Sequence, residues 1–336
     1  MSTLIHPNDA LVNEEAPLPV IPVCEHFAGN RHTLLKAFAI QAEYGPVFDI
    51  TCDCEDGAAT GTEISHANMI VELLNSEHNI HKMAGVRIHG FNEPVWKQEV
   101  DILLSGARDL IRYITLPKAQ DATQVEMMLE YIQLASQKYS LQQPLPIHVL
   151  IETHGALGDV NKIAMMEPVE VLDFGIMDYI SAHQSVITDE AMRSPLQFEH
   201  ALIVKAKTEI ISAAITSGCI ASHNVTLAIK DYQQTYNDAY RARHQFGFMR
   251  MWSVHPAQIK PIIGAMSPNP QQLQLASEVL LSAQQHNWAP IQLNGKLYDK
   301  ASYRYYWQQI QQAYLAGIPL EKPVQQQFFS QNNCTP

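Results

Sequence analysis

The sequence predicts a (β/α)₈ barrel followed by a helical extension, and two observations support this prediction. Short runs rich in β-branched and aromatic residues recur along the chain, and stretches with helical periodicity follow them. The charged residues that end five of these runs lie 26 to 34 residues apart, close to the length of one strand–helix unit. Because eight such units fill roughly 250 residues, we assign residues 20–268 to the barrel, 1–19 to an N-terminal tail and 269–336 to the extension.

Eight runs are predicted to be strands, and the seventh is the weakest. In chain order they cover residues 21–29, 46–53, 83–89, 113–118, 146–153, 171–178, 218–225 and 250–256. The predicted helices between them include residues 62–75, 122–138 and 196–217. An open doubly wound sheet is the competing architecture, but no glycine fingerprint follows the first strand.

Composition excludes several classes of function. The 336 residues carry a formal net charge of −12 and no basic block, which disfavours a nucleic-acid partner. No apolar run is long enough for a membrane span, which needs about 18 residues, and the N-terminus lacks the pattern of a secretory signal. The five cysteines are an odd number, which favours a reduced cytoplasmic protein.

Charged residues gather where the predicted strands end, which is the active-site face of such a barrel. Alternation along the second strand places Asp53 and Glu55 on one face and Asp56 on the other, so we expect these three not to share one role. The charged residues at the strand ends are Asp53, Glu55, Asp56, Arg87, Lys118, Glu152, Asp178 and His255. Such a set at six strand ends favours a site, and we predict that Asp53 and Lys118 contact the substrate.

Each of these residues also has a purely structural interpretation. The three acidic residues after the second strand could form a turn that caps a helix near residues 60–62. Arg87 could be an ion-pair partner, Lys118 a loop lysine, and the later carboxylates helix caps. His255 precedes a proline and is better explained as a residue that hydrogen-bonds the barrel rim.

Several carboxylates converging with one arginine, without a Cys/His cluster, predict a hard cation. Mg²⁺ prefers one or two carboxylates together with waters and substrate oxygens. Glu152 and Asp178 are the best pair, because each is a single carboxylate at the end of one of two adjacent strands. Mn²⁺ is a possible substitute for Mg²⁺.

The motifs resemble, in order and spacing over about residues 21–265, the citrate lyase β-subunit-like proteins of the HpcH/HpaI aldolase group. That group includes malyl-CoA and citramalyl-CoA lyases. The motifs are G-N-R (29–31), D-C-E-D-G-A (53–58), V-R-I-H (86–89), L-P-K (116–118), L-I-E-T (150–153), F-G-I-M-D (174–178) and S-V-H-P-A-Q-I (253–259). The chain departs from the group's pattern at Gln120, at His154 and in the segment before Val254, where the acyl-CoA would lie.

The resemblance implies a Mg²⁺-dependent barrel that makes or breaks a C–C bond beside a 2-oxo acid, with an acyl-CoA partner, in a trimer or hexamer. Carried over, Glu152 and Asp178 bind the metal, Arg87 contacts substrate and stabilises developing negative charge, and Gly29, Asn30 and Arg31 lie near the CoA chain or substrate. The base is open between Glu55, Asp56 and a carboxylate of a neighbouring subunit.

Three other functions are alternatives to a CoA-dependent lyase. A class II aldolase would act on a free 4-hydroxy-2-oxo acid, and a malate synthase-like enzyme would hydrolyse the thioester after condensation. A non-catalytic partner subunit is disfavoured because Arg87, Glu152 and Asp178 are all intact.

Overall fold

The structure, a computed structural model, describes residues 4–11 and 18–329. These residues belong to two compact units, one of which is Val23–Met266. The other combines Met1–Pro22 with Ser267–Pro336. In the described residues, no helix is both long enough and apolar enough to cross a membrane.

Eight parallel strands in the first unit pair in sequence order and close between the first and the eighth. This closed barrel confirms the predicted (β/α)₈ fold and makes the open-sheet alternative wrong. The strands are β1 (Cys24–Ala28), β2 (Asp49–Asp53), β3 (Ala84–Arg87), β4 (Ile114–Leu116), β5 (Ile147–Ile151), β6 (Val169–Phe174), β7 (Ile220–His223) and β8 (Arg250–Ser253).

Helices surround this barrel, and their caps explain where several of them start. Asp121 accepts a hydrogen bond from the Gln124 amide, so the helix begins at Ala122 as predicted. The predicted helix 196–217 is instead a short 3₁₀ turn (Leu196–Phe198) and a separate helix. After α1 (Pro7–Ala10) in the second unit, the helices are α2 (Arg31–Tyr44), α3 (Glu63–Leu74), α4 (Trp96–Ala107), α5 (Ala122–Lys138), α6 (His154–Gly158), α7 (Val160–Ala164), α8 (Ile176–Ala182), α9 (Ala201–Ser217), α10 (Tyr232–Arg241) and α11 (Ile259–Met266).

The barrel interior contains a buried ionic group, which we call the interior cluster: Glu25, Asp49, His148, Asp173 and Arg250. Arg250 donates from Nη1 to Asp49 Oδ2 (2.7 Å) and from Nε to Glu25 Oε2 (3.0 Å). His148 Nδ1 lies 3.7 Å from Glu25 Oε2 and 3.9 Å from Asp173 Oδ2. The predicted strand runs are rich in β-branched and aromatic residues, but these inward-facing positions within them are charged or polar.

An apolar layer lies among the barrel's inward-facing residues alongside the interior cluster. It consists of Phe27, Leu150, Val225 and Trp252, which form their own buried hydrophobic group. The Phe27 and Trp252 rings stack with centroids 4.8 Å apart.

The second unit is helical, as predicted for residues 269–336, but it also contains a β-hairpin. Its other elements are α12 (Pro270–Gln285), β9 (Ile291–Leu293), β10 (Lys296–Tyr298), α13 (Lys300–Leu315) and α14 (Lys322–Phe328). Asn294 and Gly295 both have positive φ (49° and 75°), the backbone of a two-residue hairpin turn for which Asn-Gly is favoured. Of the predicted N-terminal tail, residues 4–11 hold α1 and residues 18–19 are described without regular structure. Residues 1–3 and 12–17 lie outside the described part.

Candidate active site

The carboxyl ends of the strands surround a cavity of about 850 Å³. Asp53 and Arg87 are the last residues of β2 and β3, and Glu152 follows β5 directly. Asp178 was predicted to end the sixth strand, but β6 stops at Phe174. Asp178 lies instead in the first turn of α8. The predicted residues that line the cavity are Gly29, Asn30, Asp53, Asp56, Arg87, Glu152, Asp178 and His255.

Arg87 is the centre of the acidic side of the cavity. Its Nε and Nη2 donate to the two oxygens of Asp53 at 2.7 and 2.6 Å, and its Nη1 lies 3.1 Å from Glu55 Oε2. Its guanidinium carbon is 5.3 Å from the centroid of the Phe27 ring. Burial alone would raise the pKa of Asp53, but the Arg87 charge holds that pKa below its usual value. The bidentate pair fixes the planar guanidinium at the cavity wall.

The turn after β2 brings all three acidic residues close to Arg87. Asp53 accepts from the amides of Glu55 (3.0 Å) and Gly57 (2.8 Å), so its carboxylate also organises the turn. Asp56 Oδ2 lies 3.9 Å from Arg87 Nη1. The expectation that Asp56 faces away from the other two is wrong, because β2 ends at Asp53 and strand alternation stops there.

Lys118 lies close to three of the carboxylates, those of Glu55, Asp56 and Asp178. Its Nζ lies 2.6 Å from Glu55 Oε1, 2.8 Å from Asp56 Oδ1 and 4.0 Å from Asp178 Oδ1. It has a positive φ of 52°, a conformation that is uncommon for residues other than glycine. Its backbone amide donates to Glu152 Oε1 at 2.7 Å. Lys118 and Glu55 are not among the described residues that line the cavity.

Glu152 is buried in an environment that disfavours its charge. Burial, followed by the nearby charges of Asp178 and Glu55, raises the pKa of Glu152 to about 8. A Cβ built at Gly175 would overlap Glu152 Oε2, so the glycine leaves room for this oxygen. Two carboxylates that repel each other across an open cavity fit a divalent cation, which would lower that repulsion.

We call these seven residues the mouth cluster: Asp53, Glu55, Asp56, Arg87, Lys118, Glu152 and Asp178. They provide five carboxylates and two cationic side chains. The cluster therefore contains more negative than positive groups, and a bound metal ion would offset this excess of negative charge.

The three predicted residues after β1, which are Gly29, Asn30 and Arg31, have three different environments in the structure. A Cβ at Gly29 would overlap the Gly57 carbonyl, so this close approach needs glycine. The Asn30 side chain caps α2 by accepting from the Thr33 amide at 3.0 Å. Arg31 pairs with Glu72 at 2.5 Å, exposed, and is not among the described lining residues.

His255 combines the two interpretations that the sequence left open. Its Nδ1 accepts from the Ala257 amide at 3.2 Å, which caps the turn after β8, and the residue also lines the cavity.

The sequence prediction missed several cavity residues, of which His26, Phe27, Asn224 and Trp252 are examples. All four are aromatic or neutral and lie inside predicted strands, so a search for charged strand ends could not find them. Strand alternation could have indicated Trp252, since it is two residues from the inward-facing Arg250.

The interior cluster contains a second set of possible metal ligands. Glu25, His148 and Asp173 each offer one ligand atom, and these atoms lie within 4.8 Å of one another. However, Arg250 and the Thr51 hydroxyl already bind the two Glu25 oxygens. The surrounding carboxylates, first Glu170 and then Glu25, outweigh burial and raise the pKa of His148 to about 9.

Comparison with known proteins identifies the family. The family model HpcH/HpaI aldolase/citrate lyase matches residues 27–256. The chain belongs to this family. The predicted membership is confirmed, and so, at the level of the family, is the prediction of a carbon–carbon lyase.

Individual relatives agree with the assignment. The citrate lyase subunit beta of Leuconostoc mesenteroides subsp. cremoris is 24% identical, over 81% of this chain and 86% of that protein. The L-malyl-CoA/beta-methylmalyl-CoA lyase of Cereibacter sphaeroides is also 24% identical, over 83% and 90%.

Two crystal structures share the fold. A citrate lyase from Burkholderia xenovorans LB400 has a TM-score of 0.82 at 42% identity and covers 96% of this chain and 100% of its own. The CitE protein of Mycobacterium tuberculosis, in complex with magnesium, acetoacetate and coenzyme A, has a TM-score of 0.64 at 20% identity, with 88% and 98% covered.

Proposed function

We propose that the protein is a Mg²⁺-dependent lyase that cleaves or forms the C–C bond of a 3-hydroxyacyl-CoA. Malyl-, citramalyl- or citryl-CoA are examples, and the products of cleavage are an acyl-CoA and a 2-oxo acid. The observation that carries the proposal is the mouth cluster, in which Glu152 and Asp178 lie beside Arg87 at a large cavity. The magnesium and coenzyme A in the CitE complex, and the malyl-CoA lyase relative, support it.

Glu152 and Asp178 would hold the metal, with Mn²⁺ as a possible substitute. When bound, Mg²⁺ polarises the carbonyl of a chelating 2-oxo acid as a Lewis acid. Glu152 is already oriented by the Lys118 amide and by the space at Gly175. Asp178 is partly exposed and can rotate toward the ion, while its distance to Lys118 Nζ (4.0 Å) leaves that contact loose.

Arg87 would stabilise the negative charge that develops on the substrate oxygens. Asp53 and Glu55 hold the guanidinium in place before the substrate binds, so little reorganisation accompanies the reaction. In the cleavage direction a base removes the hydroxyl proton, the C–C bond breaks, and its electron pair goes to the enolate of the acyl thioester, which is then protonated.

Asp56 is the better placed of the two predicted bases. It lines the cavity and its side chain is 53% exposed, whereas Glu55 is buried between Arg87 and Lys118. Lys118, at 2.8 Å from Asp56, would hold the carboxylate in its orientation. A carboxylate of a neighbouring subunit is the remaining candidate for this role.

One assay tests the proposed function. The enzyme is incubated with Mg²⁺ and malyl-CoA, citramalyl-CoA, citryl-CoA or free 4-hydroxy-2-oxo acids, and the released 2-oxo acid and CoA are measured. Release from a CoA thioester, abolished by EDTA, supports the proposal. Activity on the free acids alone would instead indicate the class II aldolase, release of free CoA the malate synthase-like reaction, and no activity a non-catalytic subunit.

We also propose that the protein is a cytoplasmic homo-trimer or hexamer. The support is the resemblance to the family. Light scattering at micromolar concentration should give three or six times the 37.7 kDa of one chain, and a monomer would contradict the proposal.

A further inference from the structure

A second cavity, of about 360 Å³, is lined by residues of the helices α6 to α9 and by His183, which follows α8. His154 and Tyr179 also line it, and none of these three is among the described residues that line the cavity at the barrel mouth. The sequence placed His154 among the departures from the family pattern near the acyl-CoA. The structure places it at this separate cavity instead, where the proposed function gives it no role.

The two histidine rings at this cavity lie side by side. The ring centroids of His154 and His183 are 4.0 Å apart, with an angle of 65° between the ring planes. The Tyr179 ring contacts both, with its centroid 4.4 Å from that of His183 and 5.8 Å from that of His154. The tyrosine therefore supports the pair from one side.

Hydrogen bonds to backbone carbonyls fix which nitrogen of each ring carries the proton. His154 Nε2 donates to the Ala182 carbonyl at 3.1 Å, and His183 Nδ1 donates to the Tyr179 carbonyl at 2.6 Å, because a carbonyl oxygen can only accept. In a neutral imidazole the other nitrogen then holds a lone pair. His154 Nδ1 and His183 Nε2 are thus the two lone-pair nitrogens.

Both lone-pair nitrogens are open to a ligand. Within the described part of the chain neither has a hydrogen-bond partner. His154 is an exposed residue, and half-buried His183 has no buried atom without a partner. Both residues line the same cavity, so one ligand can reach both nitrogens.

This arrangement is the one in which histidines bind metals. A histidine ligand almost always donates its second ring N–H to a backbone carbonyl, a carboxylate or water, which fixes its tautomer and orientation. Two imidazole nitrogens on one zinc ion, each at about 2.1 Å from it, lie at most about 4.2 Å apart. Rings whose centroids are 4.0 Å apart can meet that limit.

The other cavity residues indicate the kind of ion. Lys205 and Glu209 line the cavity and form an ion pair at 3.4 Å, so their charges offset each other and favour no anion. Imidazole suits Zn²⁺, Cu²⁺ and Ni²⁺, whereas Mg²⁺ prefers oxygen ligands. The compact three-ligand group found among the described residues does not include this pair. Water would therefore complete the coordination.

We propose that His154 and His183 form a binding site for a divalent transition-metal ion such as Zn²⁺. The site is separate from the mouth cluster, and the inference does not depend on the proposed function. An ion bound by both histidines would connect the start of α6 to the end of α8.

Calorimetric titration of the full-length protein with Zn²⁺, in saturating Mg²⁺, tests the site. The wild-type protein should bind one Zn²⁺ at the histidine pair. His154→Ala and His183→Ala should each weaken this binding at least about tenfold, the lower limit for losing even a residue that only supports a ligand. Glu152→Gln should keep the Zn²⁺ affinity, because its carboxylate belongs to the mouth cluster.

His286→Ala is the matched control. His286 is exposed and its Nδ1 donates to the Ser282 carbonyl at 2.8 Å, as in His183, but no second histidine packs against it among the described residues. This variant should bind Zn²⁺ like the wild type. Circular dichroism checks that every variant is folded.

Electron paramagnetic resonance of the protein with one equivalent of Cu²⁺ gives a second readout. The nitrogen hyperfine pattern should show two imidazole ligands in the wild type and fewer in His154→Ala and His183→Ala. Unchanged Zn²⁺ affinity in both folded histidine variants, or no binding of Zn²⁺ to the wild type, overturns the proposal. A loss in Glu152→Gln alone would place the zinc at the barrel mouth and overturns it as well.

Discussion

The mouth cluster and the interior cluster both arrange carboxylates around one arginine, but they differ in charge balance and access. In the interior, Arg250 and His148 face three buried carboxylates, and the pKa of His148 is raised to about 9. At the mouth, Arg87 and Lys118 face five carboxylates beside an open cavity. The comparison shows that the interior cluster balances most of its charge internally, whereas the mouth needs a cation from outside.

This difference separates stability from function. Removing a cation from the interior leaves charges that water cannot reach, which is costly to the fold. Changing the mouth should chiefly affect the metal and the substrate, since the cavity admits both. The predictions that follow change residues in or next to the two clusters.

Arg250→Met should have the largest effect on stability. Glu25 and Asp49 would lose their buried partner, and the free energy of unfolding should fall by about 3–5 kcal/mol. Urea denaturation followed by circular dichroism measures this loss. The matched control is Arg31→Met, which breaks an exposed pair with Glu72 and should cost at most about 1 kcal/mol. Equal losses in the two variants would remove the distinction between buried and exposed pairs.

Arg87→Ala should lower kcat/KM roughly 10²–10³-fold, because the charge on the substrate oxygens would lack its donor. Arg87→Lys should rescue poorly, since an ammonium cannot reproduce the bidentate fork toward Asp53. Steady-state kinetics are compared well below the melting temperature of each variant. Near-full activity of a folded Arg87→Ala variant would leave Arg87 as a structural ion-pair partner only.

Gly175→Ala should weaken Mg²⁺ binding roughly 10- to 100-fold, because the added methyl group would displace Glu152. Gly158→Ala is the control, since a Cβ there meets no neighbour within 4 Å. Calorimetric titration of both variants measures the effect. Equal affinities would show that Glu152 does not need its present position to bind the metal.

Glu152→Gln should produce a pH-dependent gain in stability of the metal-free protein. The glutamate pKa rises from 4.5 in the unfolded chain to about 8 in the fold. Its unfavourable charge therefore costs stability progressively as the pH rises from about 4.5 to 8. In EDTA the variant should melt above wild type at pH 9 and with it near pH 4.5.

The control for this prediction is Glu126→Gln on the exposed face of α5, which should show no such trend. A difference in melting temperature that does not depend on pH would contradict the raised pKa of Glu152.

Sequence reasoning predicted the barrel and most residues of the mouth cluster, because both depend on patterns among residues that are close in sequence. The strand runs and their spacing gave the fold, and charged residues at strand ends gave Asp53, Arg87 and Glu152. The turn after β2 was predicted less well, since alternation has no meaning once the strand has ended at Asp53.

Other features depend on neighbours that are distant in sequence. Arg250 meets Glu25 across 225 residues, and the pattern of a single strand does not show that its inward positions are charged. Asn224 looks like an ordinary strand residue in the sequence, and only the fold shows that it lines the cavity. The Asn294-Gly295 turn, by contrast, was readable from its dipeptide and was overlooked.

The central claim is that Glu152 and Asp178 bind the catalytic cation and that the interior cluster does not. Isothermal titration of Mg²⁺ in the presence of a 2-oxo acid tests it with Glu152→Gln, Asp178→Asn and, from the interior cluster, Asp173→Asn. We predict that the first two variants lose most of their Mg²⁺ affinity, while folded Asp173→Asn keeps the wild-type value. Wild-type affinity in both mouth variants together with a loss in Asp173→Asn would contradict the claim and place the metal in the barrel interior.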